Sequence, residues 1–469
     1  MPRTILAKCE SHGSRFSDIR RVRGLLVMLV LAAIPVGPLP GAQVTTIQGE
    51  DPAGPHIVLM VATSSHDSSI GVARQIATLP VRRGRLTIVE MQEPVANEKL
   101  EEFLAPALSP DNHIDWVWVD RGGVAEDSAG NKLTAPTVTL PVAKEERVRR
   151  TVGEVLGPDA AIEVLAAEDQ PSIARRGMVS FAYPSNTPRS RQVRYTRQLA
   201  VALLRESGAV DDDADFTWAR LEQYASRLVA LYDAEGIGSG GPPRLERIID
   251  QRMDDVGVYR VCGEDVREGA LAAATVAIFP GGSGRGIGNG LQEEGRQLLR
   301  DYIFGGGGYL GICAGAYFAG SGLDNYLGAI RLRHSQPWTR GRATVKIELT
   351  EEGKAIFGDD KTSLDVRYAN GPVFLAADQI DGGDSDFVVL ARFKTPSTDR
   401  SGTVREEMIG EAAVGYKDYG QGRLLIISPH PESHEEHCDF VVRAIEWTCI
   451  TVDRPPAPEP ALGNRAAEG

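Results

Sequence analysis

Apolar and polar positions along the chain fall into two stretches in which short β-like runs alternate with helical spacing. In the first, about residues 56–208, His56-Ile-Val-Leu-Met-Val-Ala62, Leu86-Thr-Ile-Val-Glu-Met91 and Asp115-Trp-Val-Trp-Val119 read as buried strands. Arg189 to Ser207 carries apolar positions at helical spacing and reads as a helix. Asp211-Asp-Asp-Ala-Asp215 is a charged break, and a connecting helix is expected over residues 211–226. The second stretch begins at Arg227-Leu-Val-Ala-Leu-Tyr232 and ends near Ile450. Beyond it, Pro455-Pro-Ala-Pro-Glu-Pro460 predicts a disordered tail over residues 451–469. Alternating strands and helices predict an α/β protein of two domains, 56–210 and 227–450. No internal repeat is evident.

The N-terminus has a pattern of its own. Arg20, Arg21 and Arg23 precede the ten apolar residues Leu25 to Ile34, and Pro35 to Ala42 ends the run. A basic segment followed by a short apolar run predicts a signal peptide over residues 1–42, since a spanning helix needs about 20 apolar residues. The protein is therefore expected to be exported, to the periplasm or beyond, with no stable membrane anchor. A core helix is the alternative reading. Hydrophobic residues make up 42% and charged residues 25% of the 469, the composition of a folded soluble chain. A net charge of −13 with no sustained basic stripe argues against nucleic acid as partner. Five cysteines are too few for a disulfide scaffold.

The chemistry concentrates in the second stretch. Tyr309 to Ile312 is a short apolar strand and Ala314 onward is helix-forming, so Cys313 sits on a strand-to-helix turn within Gly311-x-Cys313-x-Gly315. That is nucleophile-elbow spacing, in which glycine two before and two after lets the backbone pass closely. The N-terminus of the following helix favours a thiolate there. A buried structural cysteine is the competing reading. A cysteine nucleophile needs a base, and His430 follows the strand Leu424-Leu-Ile-Ile-Ser428, with Glu432 two residues on to fix its tautomer. His-x-Glu alone is weak; behind an elbow in the same layer it becomes specific. The glycine-rich Gly282-Ser-Gly-Arg-Gly-Ile-Gly-Asn-Gly290 does not match a phosphate-binding Gly-x-Gly-x-x-Gly and reads as a flexible wall of the site. Ser433-His-Glu-Glu-His-Cys438 reads as a helix N-cap and acidic first turn rather than a metal site. Cys438 and Cys449, about 16 Å apart along one helix, cannot pair. Cys262 is expected to end a buried strand.

Tyr232-Asp-Ala-Glu-Gly236, Phe279-Pro-Gly-Gly282, Gly308-Tyr-Leu-Gly-Ile-Cys-Ala-Gly-Ala-Tyr317, Tyr368-Ala-Asn-Gly-Pro372 and Ser428-Pro-His-Pro-Glu432 together resemble the class I glutamine amidotransferase-like superfamily. The closest resemblance within it is to the biotin-protein ligase N-terminal-domain family. It covers residues 227–450 and implies a flavodoxin-like parallel sheet with helices on both faces. It also implies a Cys313–His430–Glu432 triad and an oxyanion hole from the backbone N–H groups of Gly282 and Ala314. The chain has no biotin-ligase catalytic region and no Walker-type loop.

Residues 56–210 resemble, more faintly, the zinc carboxypeptidase and succinylglutamate desuccinylase superfamily. Val61-Ala-Thr-Ser-Ser-His66-Asp-Ser-Ser69 stands where a His-Gly-Asp-Glu metal motif belongs, with Ser69 in place of the second ligand. Asp115-Trp-Val-Trp-Val-Asp-Arg-Gly-Gly123 resembles a later ligand strand, with Arg121 in place of its histidine. Arg189-x-Arg191 fits the family. A zinc site needs about three protein ligands, and His66 alone does not supply them. The resemblance thus implies a degenerate domain without metal; an unrelated α/β domain is the alternative.

The expected activity is that of a thiol-dependent amide hydrolase or amidotransferase-like enzyme, acting on a small-molecule or peptide amide and using no cofactor or metal. The competing expectation is a non-catalytic ligand-binding or scaffold protein built from two degenerate enzyme domains. Oligomeric state is not legible.

Overall fold

A computed structural model describes residues 43–62, 66–91, 116–124, 132–141, 145–156, 161–165, 178–321, 323–331, 341–358, 362–374 and 386–449. The expected signal peptide and the proline-rich tail both lie outside those residues.

The first unit is built on one mixed sheet. Its strands are β1 (Gln43–Gln48), β2 (Asp51–Ala62), β3 (Arg83–Met91), β4 (Trp116–Val124), β5 (Thr137–Pro141), β6 (Ala161–Leu165) and β7 (Met178–Pro184), in the spatial order β1-β3-β2-β4-β7-β5-β6. The centre, β3-β2-β4-β7, is parallel, while β1 and β5 join it antiparallel. The unbroken apolar run in β2 follows from that position, because Ile57 to Val61 is buried throughout, as central parallel strands are. Helix Arg189–Glu206 lays Val193, Leu199, Leu203 and Leu204 into the same core as Ile57, Leu59 and Val61.

The second unit begins at β8 (Arg227–Tyr232), where the pattern predicts it, and continues through β9 (Val256–Val261), β10 (Val276–Phe279) and β11 (Gly308–Ile312). There follow β12 (Gly341–Leu349), β13 (Ser363–Ala369), β14 (Val388–Phe393), β15 (Ser397–Asp399), β16 (Val404–Arg405), β17 (Ala412–Tyr419) and β18 (Gly422–Ile427). β9-β8-β10-β11-β18 are parallel neighbours, so the first five parallel strands stand in the order 2-1-3-4-5. That is the flavodoxin-like doubly wound order, which opens a crevice at the strands' carboxyl ends. An antiparallel extension runs from β18 through β17 and β14 to β12, with β13 paired on β12.

Three expectations need correction. The connecting helix expected over residues 211–226 is a single 3-10 stretch, Trp218–Gln223. Its buried residues Trp218 and Leu221 are three apart, the 3-10 repeat. The Arg197 guanidinium packs 4.6 Å from the Trp218 ring centre and 4.7 Å from that of Phe216, so tertiary contacts fix this connection. The glycine-rich run is no flexible wall. It forms the first turns of helix Gly284–Phe304, where a Cβ at Gly286 would lie 2.5 Å from the Gly236 Cα. Lastly, Ser433 does not cap the final helix. That helix is Cys438–Thr448, with His437 at its N-cap, and the Ser433 hydroxyl accepts from Arg367 at 3.4 Å.

The two units share a polar junction. Ser69 bridges Val258 of edge strand β9, with Ile70 N–H donating to the Val258 carbonyl at 2.6 Å and Val258 N–H to Ser68 at 2.8 Å. His66 pairs with Asp250 through Nδ1 at 3.3 Å. The segment that resembles a metal motif therefore covers an exposed sheet edge of the other unit. Deeper in the junction, buried Asp265 accepts from Arg194 at 3.1 Å and Arg197 at 2.8 Å, and Arg197 also donates to Gln75 at 2.7 Å. Burial pushes the Asp265 carboxyl up, but Arg197 and Arg194 outweigh it and hold it below its ordinary value.

Asp265→Asn would leave Arg197 without a carboxylate partner and Arg194 with Glu268 alone. A loss of about 3–5 kcal/mol is expected, read as a lower denaturation midpoint. Because the folded carboxyl is depressed, its contribution is present above 3.8 and lost as pH falls below that value. The acid limb of the stability profile should therefore flatten in the variant. A wild-type midpoint and acid limb would show that the network does not hold the units together.

Candidate active site

The site forms at the carboxyl ends of β10, β11 and β18. Cys313 follows β11 directly, its N–H donating to the Ile427 carbonyl of β18 at 2.8 Å, and helix Ala314–Ala319 leaves from it. Its φ of 51° and ψ of −96° are costly for a non-glycine residue. The flanking glycines explain how the turn is tolerated. A Cβ at Gly311 would lie 2.7 Å from the Gly315 carbonyl, and one at Gly315 would lie 2.0 Å from the Phe279 carbonyl. The two turns of backbone thus touch each other and β10, and only Gly-x-Cys-x-Gly fits.

His430 comes from the loop after β18. Its N–H donates to the Arg367 carbonyl of β13 at 2.7 Å, and its ring Nδ1 lies 2.7 Å from Glu432 Oε1. Both side chains are buried. Cys313 is the imidazole's other neighbour in the site. Burial pushes His430 down, but Cys313 and the hydrogen-bonded Glu432 beside it prevail and raise it to about 10. An imidazolium held beside a sulfur is the arrangement that supports a thiolate.

Gly281 is where these groups converge. A Cβ there would stand 2.6 Å from His430 Cε1 and 3.6 Å from Cys313 Cβ. The neighbouring Gly282, at φ 152°, needs a glycine backbone. Gly282 forms an antiparallel bridge with Ile237 whose two hydrogen bonds come from its neighbours, Gly238 N–H to Gly281 O at 2.9 Å and Ser283 N–H to Gly236 O at 2.6 Å. In such a pair the central residue's own N–H faces away from the partner strand. Ala314 is the first residue of its helix, so its N–H has no intrahelical acceptor.

Sequence reasoning brought Cys313, His430, Glu432, Gly282 and Ala314 to this region, and the fold collects all five there. It missed β13. The Ala369 carbonyl lies 3.6 Å from the Cys313 sulfur, Arg367 holds the His430 backbone, and Asn370 has a positive φ of 61°. The signal was the Tyr368-Ala-Asn-Gly-Pro372 motif, which carries no reactive side chain and so suggested no role. Arg121, expected at a lost ligand position, has no described side chain. Among the described residues no group of three or more metal-capable side chains converges. His437 instead hydrogen-bonds the Asp365 carbonyl at 2.8 Å.

Residues 266–332 and 337–446 match the family model described as biotin-protein ligase, N terminal. This is the family that the sequence motifs resemble, and the match lies wholly within the second unit. A biotin–protein ligase of Schizosaccharomyces pombe is 25% identical over 193 residues, covering 38% of this chain and 28% of the relative. The chain thus spans little more than a quarter of that relative's length. A glutamine amidotransferase crystal structure is 18% identical with a TM-score of 0.34, covering 47% of this chain and 99% of that one. PurLQS from Thermotoga maritima is 13% identical with a TM-score of 0.34, covering 47% and 98%. At such scores neither carries an argument, and the flavodoxin-like fold is read from the strand order itself.

Two outcomes test this geometry. Because His430 is raised, its protonated form contributes stability in full below 6.5 and loses that contribution as pH rises through about 10. His430→Gln should lower stability by a constant amount below 6.5 and flatten the denaturation profile across that window; an unaltered alkaline limb would contradict the pairing. Gly281→Ala should displace the imidazole and slow alkylation of Cys313 by iodoacetamide, with circular dichroism unchanged. Wild-type alkylation in that variant would place Gly281 away from the reacting groups.

Proposed function

We propose that the second unit is a thiol-dependent amide hydrolase of the glutamine amidotransferase-like kind, acting on a small-molecule or peptide amide. One observation carries the reading: the strained Cys313 and the Glu432-held His430 converge on Gly281, where a Cβ would lie 3.6 Å from Cys313 Cβ and 2.6 Å from His430 Cε1. In the proposed reaction the Cys313 sulfur attacks the amide carbonyl and a C–S bond forms. The resulting oxyanion is held by the N–H groups of Gly282 and Ala314. His430 protonates the leaving nitrogen as the C–N bond breaks, giving a thioester and a free amine. It then takes a proton from water, which attacks the thioester and releases the carboxylate and the thiol. Glu432 keeps the imidazole in its tautomer throughout.

The biotin–protein ligase relative lends no ligase activity here, since the matched family is described as its N-terminal region. Hydrolysis, rather than ammonia transfer to a second site, suits a chain without an ATP-binding loop. We further propose export through residues 1–42, whose basic and apolar segments motivate it.

A panel of primary amides and short peptide amides, with p-nitrophenyl acetate as an activated acyl donor, tests the activity. Cys313→Ala should abolish acyl-enzyme formation, and His430→Ala should lower turnover by roughly 10²–10⁴-fold. Selective alkylation of Cys313 well below pH 8 should accompany activity. A wild-type protein that neither acylates nor alkylates faster at Cys313 than a free thiol would leave the non-catalytic scaffold as the better account.

A further inference from the structure

The first unit reaches the candidate oxyanion hole through one short loop. That loop, residues 233–238, leaves the end of β8 and lies against Pro280-Gly281-Gly282-Ser283. Ser283 N–H donates to Gly236 O at 2.6 Å and Gly238 N–H to Gly281 O at 2.9 Å. Those two bonds set how residue 282 presents its N–H, because they are the only bonds of the Ile237–Gly282 bridge. Whatever fixes the loop therefore fixes the donor.

Much of what fixes it comes from the other unit. At the start of helix Arg189–Glu206, the buried Ser190 hydroxyl donates to the Asp233 carbonyl. Arg191 forms a close ion pair with Glu235 and a second, at 3.0 Å, with Glu264. Within the second unit, Arg260 holds the Asp233 carboxylate at 2.9 Å, so the loop is gripped from both sides of the junction. Arg191 belongs to the Arg189-x-Arg191 pair that the sequence singles out and that the triad leaves unused.

We propose that Ser190 and Arg191 are positioning residues for the second unit's chemistry, holding loop 233–238 so that the Gly282 N–H meets the developing oxyanion. The inference rests on the proposed thiol-dependent hydrolysis and gives the first unit a part in it. A small displacement is enough to matter, since a hydrogen bond to an oxyanion weakens steeply with distance and angle. The carboxylates of Glu235 and Glu264 stay partly exposed, so the ion pairs act as a clamp rather than as a source of stability.

The test compares two reactions of Cys313 in the full-length protein. Acylation by p-nitrophenyl acetate passes through an oxyanion; displacement of iodide from iodoacetamide by the sulfur does not. Ser190→Ala and Arg191→Gln should lower the acylation rate by roughly 10-fold or more while leaving alkylation near wild type. Arg191→Lys, which keeps the charge, should recover part of the loss. Should Arg191→Gln fail to fold, Glu235→Gln breaks the same pair from the other side and should show the same selective loss. If wild type acylates and all variants keep its ratio of acylation to alkylation, or lose both rates together, the positioning role is overturned. Absence of acylation in wild type would instead overturn the hydrolytic reading, and this inference with it.

Discussion

A cysteine held at φ 51° between two parallel strands is the constraint on which the second unit turns. Such a conformation persists only where its surroundings over-determine it. Here the surroundings are backbone. The Cys313 N–H is tied to β18, Gly311 touches Gly315, and Gly315 touches the end of β10. A β-carbon at either glycine would push the elbow helix off the sheet. The stacked rings of Tyr232, Phe279 and Tyr309, with centres 5.1 and 5.2 Å apart, brace the same region from beneath, and the Tyr309 hydroxyl donates to the Gly315 carbonyl at 2.7 Å. Strain at one residue is thus balanced by packing at many.

The strand order decides what the strained residue can reach. With β11 between β10 and β18, the loops after all three strands meet above the sulfur: Gly281 and Gly282 from one side, His430 from the other. β13 then closes the arrangement from the antiparallel extension, giving one carbonyl to the His430 backbone and another to the Cys313 sulfur. His430 and Cys313 are therefore referenced to a common strand, which holds their relative placement through backbone rather than long side chains.

How much of this could be read beforehand follows from how local each signal is. The elbow is a five-residue pattern and His430-x-Glu432 a three-residue one, so both were visible, as was the start of β8 at Arg227. The 3-10 connection at Trp218–Gln223 was not, because its geometry is set by Arg197 stacked on Phe216 and Trp218. Nor was the meaning of the glycine-rich run. Its glycines answer close approaches by Gly236, Asn325 and Tyr232, which are distant in sequence. Ser433 misled for a similar reason: a hydroxyl before acidic residues suits a helix cap, yet Arg367 from β13 claims it. Positions whose role depends on a non-local partner leave only residue type in the sequence, and residue type alone has several explanations.

The junction between the units is built of polar groups. Its deepest group is costly to bury singly and acceptable only with partners, Asp265 with two arginines, while Arg191 reaches the half-exposed Glu235 and Glu264 at the rim. An apolar junction would tolerate small rotations of one unit on the other, because contact area changes little with angle. A junction of directional hydrogen bonds does not, since each carboxylate satisfies its arginine at one orientation only. The segment bearing His66 and Ser69 adds register to that orientation by pairing backbone-to-backbone with β9. His66 and Ser69 are thus both committed to the neighbouring unit, His66 to Asp250 and Ser69 to the edge of β9.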